Sequence, residues 1–308
     1  MLALPTPEFE PQTMQNGAPK RAQSLAELDQ LTKLLFSTEG VKQGLAMSLR
    51  PSDVVITPFG KSGTTWTQQI VHTLRTRGDM DFDDISRVVP WIETSTDLGL
   101  DLNAEQRANP RAFKSHLTYD VIPKGGRYIN VMRDPADAAV SMFKFEEGWF
   151  LEPGAVSLDE YVQQEYLKHP RYFAHLKSWW PQRHADNVLF LCYEDMLGDA
   201  EQTIRRIAAF IGIELDQALL DLTLTHSSIE FMLQHKDRFD DAMLRARSEH
   251  VCNLPKGSDS AKVRKGKSGD GVSLSAESQQ KLQDVWQREI TDTLGFANYA
   301  AMRTALAS

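Results

Sequence analysis

The segment from Val54 to Leu74, which reads VVITPFGKSGTTWTQQIVHTL, limits the possible folds of this chain more than any other stretch. Three β-branched residues open it, and Pro58 and Gly60 then interrupt regular structure. After this break, apolar side chains recur at helical spacing at Trp66, Ile70, Val71 and Leu74. The segment therefore predicts a buried strand, a tight loop and a helix, in that order.

The loop between this strand and this helix consists of small and hydroxyl-bearing residues around one lysine: Gly60, Lys61, Ser62, Gly63, Thr64 and Thr65. A helix N-terminus presents unpaired N–H groups and a partial positive charge, so the loop suits a phosphate or another oxyanion. The G-x-x-x-x-G-K-[ST] loop of nucleoside triphosphatases would need glycine at position 55, where this chain has Val55. This departure weakens the nucleoside triphosphate interpretation. The other alternative is a loop that only makes the turn.

The composition indicates that any anion site is local rather than spread over a basic surface. The 308 residues carry a formal net charge of -8 and a sequence pI of about 5.5, which disfavours nucleic acid as a partner. The two cysteines, Cys192 and Cys252, have neither zinc-site spacing nor the pattern of a disulfide framework. No apolar run approaches the roughly 18 residues of a membrane span and no signal peptide is recognisable, so we expect a cytoplasmic protein without a membrane partner.

Further apolar runs alternate with helical patterns along the chain. They predict strands at 111–115, 128–132 and 188–192, in addition to the one at 54–56. We therefore predict the α/β class: a single domain at residues 23–308 with a central, mainly parallel sheet flanked by helices and a strand–loop–helix like a P-loop. Prolines and scarce apolar side chains predict a mobile arm, or a segment wrapped over the surface, at residues 1–22. The last predicted helix runs from Ser275 to Leu294.

Polar residues with catalytic potential follow these predicted strands. Lys114 and His116 lie two residues apart, so both face the same side of an extended segment. Arg133 and Tyr193 directly follow two other strands, at the edge where open α/β sheets bind ligands. A structural role for His116, or an ion pair of Arg133 with a neighbouring aspartate, is the competing interpretation.

Two segments are candidates for covering such a site. Residues 237–273 lose apolar periodicity while lysines, arginines and glycines accumulate, which predicts either a disordered surface loop or a lid that orders on an anion. Residues 146–152 read as an exposed loop that carries Trp149 and Phe150, and aromatic side chains in a loop suggest an apolar wall.

Taken in order, these motifs resemble the cytosolic-type sulfotransferases that use 3′-phosphoadenosine 5′-phosphosulfate (PAPS). Four segments carry the resemblance: KSGTTW at 61–66, K-[ST]-H-L at 114–117, R-[DN]-x-x-D-x-x-V-S at 133–141 and R-K-G-x-x-G-D at 264–270. YED at 193–195 and H-[ST]-S at 226–228 are also similar to the family pattern. Each short motif is weak alone, but the ordered set across residues 50 to 290 is specific.

The resemblance implies a donor site, a base and a reaction. It implies that the 5′-phosphosulfate is held by Lys61, Ser62, Gly63, Thr64 and Thr65, the adenine by Trp66, Tyr193 and Ser228, and the 3′-phosphate by Arg133, Ser141, Arg264, Lys265 and Gly266. His116 would be the base, with Lys61 and Lys114 neutralising developing charge. The product nucleotide would be 3′,5′-adenosine bisphosphate (PAP), and no metal would be required.

The sequence also departs from the family pattern. Phe59 and Gly60 separate Pro58 from Lys61, which suggests one inserted residue, and the segment that usually follows the R-K-G-x-x-G-D motif is shortened after Asp270. Because the family's dimer contact includes that shortened segment, the oligomeric state stays open.

The acceptor is predicted to be a small molecule bound by aromatic walls. The candidates for these walls are Phe59, Trp91, Phe145, Trp149 and Phe150. They favour a lipophilic alcohol or phenol, whereas Glu146 and Glu147 would favour an amine. A P-loop-type kinase and a non-catalytic adenine-nucleotide-binding protein remain the alternatives from other functional classes.

Overall fold

Four parallel strands form the central sheet of the computed structural model, which describes residues 17–260 and 262–307. The strands are β1 Val54–Ile56, β2 Ala112–Lys114, β3 Arg127–Met132 and β4 Val188–Cys192, in the sheet order β2-β1-β3-β4. In the centre of the sheet, Ile56 pairs with Lys114 on one side and with Ile129 on the other. The predicted strands are therefore confirmed. The next two strands along the chain, β2 and β3, pair with opposite edges of β1, an arrangement typical of open α/β folds.

Helices connect the strands and cover the sheet. They are α1 Leu25–Leu35, α2 Thr38–Leu45, α3 Thr64–Thr76, α4 Ile85–Val88, α5 Pro135–Trp149, α6 Leu158–Tyr161, α7 Arg171–Trp179, α8 Tyr193–Gly198, α9 Ala200–Ile211, α10 Gln217–His226, α11 Ile229–Gln234, α12 Ala242–Val251, α13 Ala276–Trp286, α14 Asp292–Leu294 and α15 Tyr299–Ala307. Short 3-10 turns lie at Thr96–Leu98, Trp180–Gln182, Lys236–Arg238 and Asp270–Ser273, and π-helical turns at Val162–Tyr166 and Gln287–Thr291. None of the helices in the described ranges combines the length and the apolarity that a bilayer crossing requires.

Both faces of the sheet are buried. Val54 and Ile56 pack into one apolar cluster, whereas Val55 between them packs into the cluster on the other face. This alternation follows from the pleat of a strand, and burial on both sides explains why β1 is a continuous apolar run. The predicted α/β domain with a central parallel sheet is thus confirmed.

Helix α5 corrects the prediction of an exposed loop at residues 146–152. The helix continues to Trp149, and the side chains of Trp149 and Phe150 are only 1% and 2% exposed. The two rings stack at 4.8 Å between their centroids, and Trp149 Nε1 donates to Ser248 Oγ at 2.9 Å. The sequence around these aromatics is rich in charged residues, such as Lys144, Glu146 and Glu147, which resembles the composition of a loop.

Helices α12 and α15 are among those that the sequence did not predict. Helix α12 lies inside the segment 237–273, where its buried side chains are few, Leu244 and Ser248 among them, so that its sequence shows little periodicity. Helix α15 follows the supposed last helix and is anchored by Met302, which is fully buried.

The predicted N-terminal arm lies mostly outside the described residues, which begin at residue 17. Its end is packed: Ala22 is buried and forms a parallel bridge with Leu151, and its N–H donates to the Phe150 carbonyl at 2.8 Å. The ordered body of the chain therefore begins before residue 23. The mobility of the arm stays a prediction.

Candidate active site

The loop after β1 is shaped to receive an anion. Helix α3 begins at Thr64, and Gly63 before it adopts a left-handed φ of 95° with no side chain capping the helix. The first main-chain N–H groups of the helix, from Thr64 to Trp66, therefore have no partner inside the helix. A Cβ at Gly63 would lie 2.9 Å from the Tyr193 ring, so glycine is required here for both conformation and space.

Buried polar atoms without partners surround this loop. Within the described residues, Ser62 Oγ, Thr64 Oγ1, Trp66 Nε1 and Arg133 Nε are all buried and lack a hydrogen bond. Unpaired buried donors are costly, so their clustering marks a place that a polar ligand completes. The set combines hydroxyl and N–H donors with a guanidinium, and it fits the phosphates and adenine of a nucleotide.

His116 lies just beyond β2 with its ring orientation fixed. Its Nδ1 is 2.7 Å from the carbonyl oxygen of Pro58, and its main-chain N–H donates to Glu93 Oε1 at 2.8 Å. A carbonyl oxygen can only accept, so Nδ1 carries the proton and Nε2 is the free base. Burial, together with the charge of Lys114, holds the pKa of His116 well below its usual value, and the ring is neutral at pH 7.

Two lysines bring positive charge to the same place. Lys61 Nζ lies 4.7 Å from the centroid of the Phe145 ring, and Lys114 Nζ lies 3.8 Å from that of Trp91. Burial, reinforced by the charge of Lys262, lowers the pKa of each lysine to about 7. Protein carboxylates do not fully neutralise either ammonium group, as expected where an anion binds.

Arg133 connects the loop after β1 to the basic segment near the C-terminus, residues 237–273. Its guanidinium donates to the Lys61 carbonyl at 2.9 Å and to the Lys267 carbonyl at 3.3 Å, and it lies over the Tyr193 ring at 4.4 Å. The neighbouring aspartates Asp134 and Asp137 were the competing partners, and Asp137 does form an ion pair with Arg133, at 3.9 Å. The same carboxylate also accepts from the main chain of Gly269 and Gly271, each at 2.7 Å, and so ties this segment to helix α5.

A single cleft of about 2930 Å³ brings most of the predicted residues together. It is lined by Phe59, Lys61, Gly63, Thr64, Thr65, Trp66, Trp91, Lys114, His116, Arg133, Ser141, Phe145, Trp149, Phe150, Tyr193, Ser228, Arg264 and Gly266. Ser62 and Lys265 are the exceptions among the predicted residues. Ser62 is buried beneath the loop, and Lys265 is exposed and paired with Asp270 at 3.3 Å.

The same cleft contains residues that the sequence did not reveal. Glu93 holds the His116 main chain, and burial raises the pKa of its carboxyl group. His175, Asp241 and Lys262 also line the cleft, each contributed by a segment remote in sequence from the others. No spacing rule links these residues, so only the folded chain could have identified them. Within the described residues, no three His, Cys, Asp or Glu side chains are grouped as metal ligands.

Comparison with known proteins gives one consistent result. The model of the sulfotransferase domain family matches residues 51–294. Sulfotransferase 1B1 of Canis lupus familiaris is 30% identical over 260 residues, which cover 79% of this chain and 85% of the relative. Sulfotransferase 2A6 of Rattus norvegicus is 33% identical over 198 residues, covering 61% and 69% of the two chains.

Two solved structures share the fold. Retinol dehydratase in complex with androsterone and the inactive cofactor PAP superposes with a TM-score of 0.66 at 23% identity, covering 89% of this chain and 96% of the other. Mouse sulfotransferase SULT7A1 complexed with PAP gives a TM-score of 0.64 at 20% identity, covering 89% and 94%. Because the family model spans most of the sequence and the curated relatives agree with it, the chain belongs to the PAPS-dependent sulfotransferase family.

Proposed function

We propose that this sulfotransferase transfers the sulfuryl group of PAPS to a hydroxyl group, or an amine, of a small lipophilic acceptor, with His116 as the general base. The contact between His116 Nδ1 and the Pro58 carbonyl, at 2.7 Å, carries the proposal, because it leaves Nε2 unprotonated within the cleft. A neutral imidazole held in one tautomer is the form that can take a proton from an acceptor.

The donor would lie along the loop after β1. Bound PAPS would supply the activated sulfuryl group, with PAP as the leaving group. Lys61, Ser62, Gly63, Thr64 and Thr65 would hold the phosphosulfate through main-chain N–H groups and side chains. The buried, unpartnered hydroxyl oxygen of Thr64, which lines the cleft, supports this placement.

The two ends of the nucleotide would meet different chemistry. Trp66 and Tyr193, whose rings lie 5.9 Å apart in an edge-to-face arrangement, would contact the adenine beside Ser228. The 3′-phosphate would be held by Arg133, Ser141, Arg264, Lys265 and Gly266. Because the Lys265 side chain is exposed, we expect its contribution to come from the main chain.

His116 and the two lysines would then have different tasks. The acceptor oxygen attacks sulfur in line, and His116 Nε2 receives its proton. Lys61 and Lys114 bind the charge that develops on the departing phosphate oxygen, and since they are already in place this requires no reorganisation. General-base help of this kind is typically worth about 10²- to 10⁴-fold in rate.

Aromatic side chains support a lipophilic acceptor. Phe59, Trp91 and Phe145 line the cleft near His116, and Trp91 packs edge-to-face on the His116 ring at 5.2 Å. Trp149 and Phe150 would support this wall from the core. Of the two acidic candidates, Glu147 is paired with Lys144 at 2.8 Å, whereas Glu146 keeps a buried oxygen without a partner in the cleft. An amine acceptor would therefore meet Glu146.

Replacing the base should separate chemistry from nucleotide binding. We expect His116→Ala to lower kcat by about 10²- to 10⁴-fold while the Kd for PAP stays within about threefold of wild type. His184→Ala, at an exposed histidine, is the matched control and should change neither quantity. Calorimetric titration measures the Kd, and sulfation of a simple phenol measures kcat.

The same titration tests the donor. PAP should bind much more tightly than 5′-AMP, because Arg133 and Arg264 would recognise the 3′-phosphate. Preference for ATP with Mg²⁺ would instead support the kinase alternative, and unchanged turnover in His116→Ala would refute the role of the base. Metal-independent transfer and a cytoplasmic location stay predictions.

A further inference from the structure

An ion pair that the reaction above does not use lies in the wall of the cleft. Lys262 Nζ is paired with the carboxylate of Asp241, and the side chains are only 10% and 3% exposed. Both residues line the same cleft as Lys61 and His116. A buried ion pair is costly to desolvate and is weak evidence for stability, so its position next to the reaction site requires a functional explanation.

Lys262 lies near the residues of the predicted sulfuryl site. It lines the cleft together with Lys61 and Lys114, and its charge is the largest of the nearby charges acting on both of them. The same charge also reaches His116. Three lysines therefore approach one region from three segments: the loop after β1, the end of β2 and the basic segment near the C-terminus.

The other lysines of that basic segment do not share this environment. Lys256, Lys265 and Lys267 are exposed, and Lys265 is paired with Asp270. Lys262 is thus distinguished from its neighbours by burial and by its partner. A lysine that contributed only to solubility or to the surface charge of a lid would be exposed, as these three are.

Asp241 has a position that does not depend on Lys262. It precedes helix α12 in a left-handed conformation with φ of 48°, and its Oδ1 accepts from the Ser86 hydroxyl at 3.5 Å. The start of the helix is fixed independently, because the Met243 N–H donates to Asp84 Oδ2 at 2.9 Å. The carboxylate is therefore a fixed point against which the flexible lysine side chain is held.

We propose that Lys262 is a third lysine of the sulfuryl site, which binds the sulfuryl oxygens of the donor, and that Asp241 is the positioning residue that holds its ammonium group toward that site. The Asp241 carboxylate is the ion-pair partner of Lys262, and it is also close enough to Lys114 and Lys61 to interact with their charges, so it holds the Lys262 ammonium group beside both of them. The anionic sulfuryl oxygens lie beyond the 5′-phosphate, at a position that PAPS fills and PAP leaves empty, so a lysine at that position would favour PAPS although the two nucleotides carry a similar total charge. The inference rests on the proposed donor site.

The difference between the two nucleotides gives a test that does not depend on turnover. We expect Lys262→Met to weaken PAPS about tenfold or more, as measured by calorimetry without acceptor, while PAP changes less than about threefold. The rate of sulfation should fall about 10²-fold, as for other fixed charges that stabilise a transition state. Lys262→Arg should recover most of the PAPS affinity, because it restores the charge. Lys256→Met, an exposed lysine of the same segment, is the control and should behave as wild type.

Loss of Lys262 alone leaves Asp241 buried and unpaired, so a second variant is needed. The double substitution Asp241→Asn with Lys262→Met removes both charges and should show the same selective loss of PAPS affinity. Equal weakening of PAP and PAPS would overturn the proposal in favour of a structural role in the lid, and so would an unchanged PAPS affinity. If the wild-type chain binds neither nucleotide, the donor site itself is refuted, an outcome that the wild-type titration separates from failure of the lysine role.

Discussion

Binding of PAP above pH 7 should take up protons from solution. The reason is the state of Lys61 and Lys114 in the free protein, where burial, with the charge of Lys262, lowers each pKa to about 7. A bound phosphate places negative charge beside these groups and raises their pKa again. The sign follows directly: the ligand prefers the protonated lysines, so affinity is full below the free-protein pKa and declines as the pH rises above it.

The size of the effect follows from the same values. A lysine with a pKa of about 7 is about 90% deprotonated at pH 8, so binding should take up about 0.9 proton for each lysine that the ligand recharges. Above that pH, affinity should fall by about tenfold per pH unit per lysine, or about 1.4 kcal/mol. The lysines interact, so the uptake of up to about two protons belongs to the pair. The phosphates of the ligand, with a second pKa of about 6, are already ionised at pH 8 and contribute little.

Calorimetry measures this uptake directly. The apparent enthalpy of PAP binding at pH 8 is compared in two buffers that differ in ionisation enthalpy, and the slope gives the number of protons. Lys61→Met should lower that number by about one, whereas Lys256→Met should leave it unchanged. Tight binding with no proton uptake at pH 8 would show that both lysines are already charged in the free protein, and hence that burial does not lower their pKa.

Two further predictions concern the loop and the core. Gly63→Ala should weaken the binding of PAP by about tenfold or more, because a left-handed alanine costs about 1–2 kcal/mol and its Cβ would lie 2.9 Å from the Tyr193 ring. Calorimetric titration measures the affinity, and a wild-type value would refute the prediction. Arg111→Met should lower the free energy of unfolding by about 3–5 kcal/mol, since it leaves Asp53, now 2.6 Å from Arg111 Nη2, as a buried unpaired charge. Denaturant unfolding measures this loss, and a change below about 1 kcal/mol would contradict it.

The sheet could be predicted from the sequence because its signal is local. Strand β4 was predicted with its observed bounds, since a strand covered on both faces leaves an uninterrupted apolar run. Helix α12 could not be predicted in the same way. Few of its side chains are buried, and its start depends on Asp84, which is remote in sequence. Where tertiary contacts rather than periodicity stabilise a helix, the sequence pattern carries little information.

The same distinction divides the candidate site. Lys61, His116 and Arg133 each follow a strand of one parallel sheet, so topology alone brings them to one edge. Lys262 and Asp241 reach that edge only because the segment near the C-terminus folds back over the cleft, with Asp137 tying Gly269 and Gly271 to helix α5. Their significance lies in burial and pairing, which no spacing rule encodes.

The electrostatics of the cleft follow from this arrangement. Two lysines lose much of their basicity on burial, and several polar atoms around the loop stay unpaired. Both features raise the free energy of the ligand-free protein, and a different sequence could avoid them. They are useful only if a ligand relieves them. An anionic nucleotide supplies both the missing negative charge and the missing hydrogen-bond partners, and release of the product restores the unfavourable state. A site built in this way holds the donor through side chains that are in position before binding, and it makes affinity depend on the protonation of its lysines.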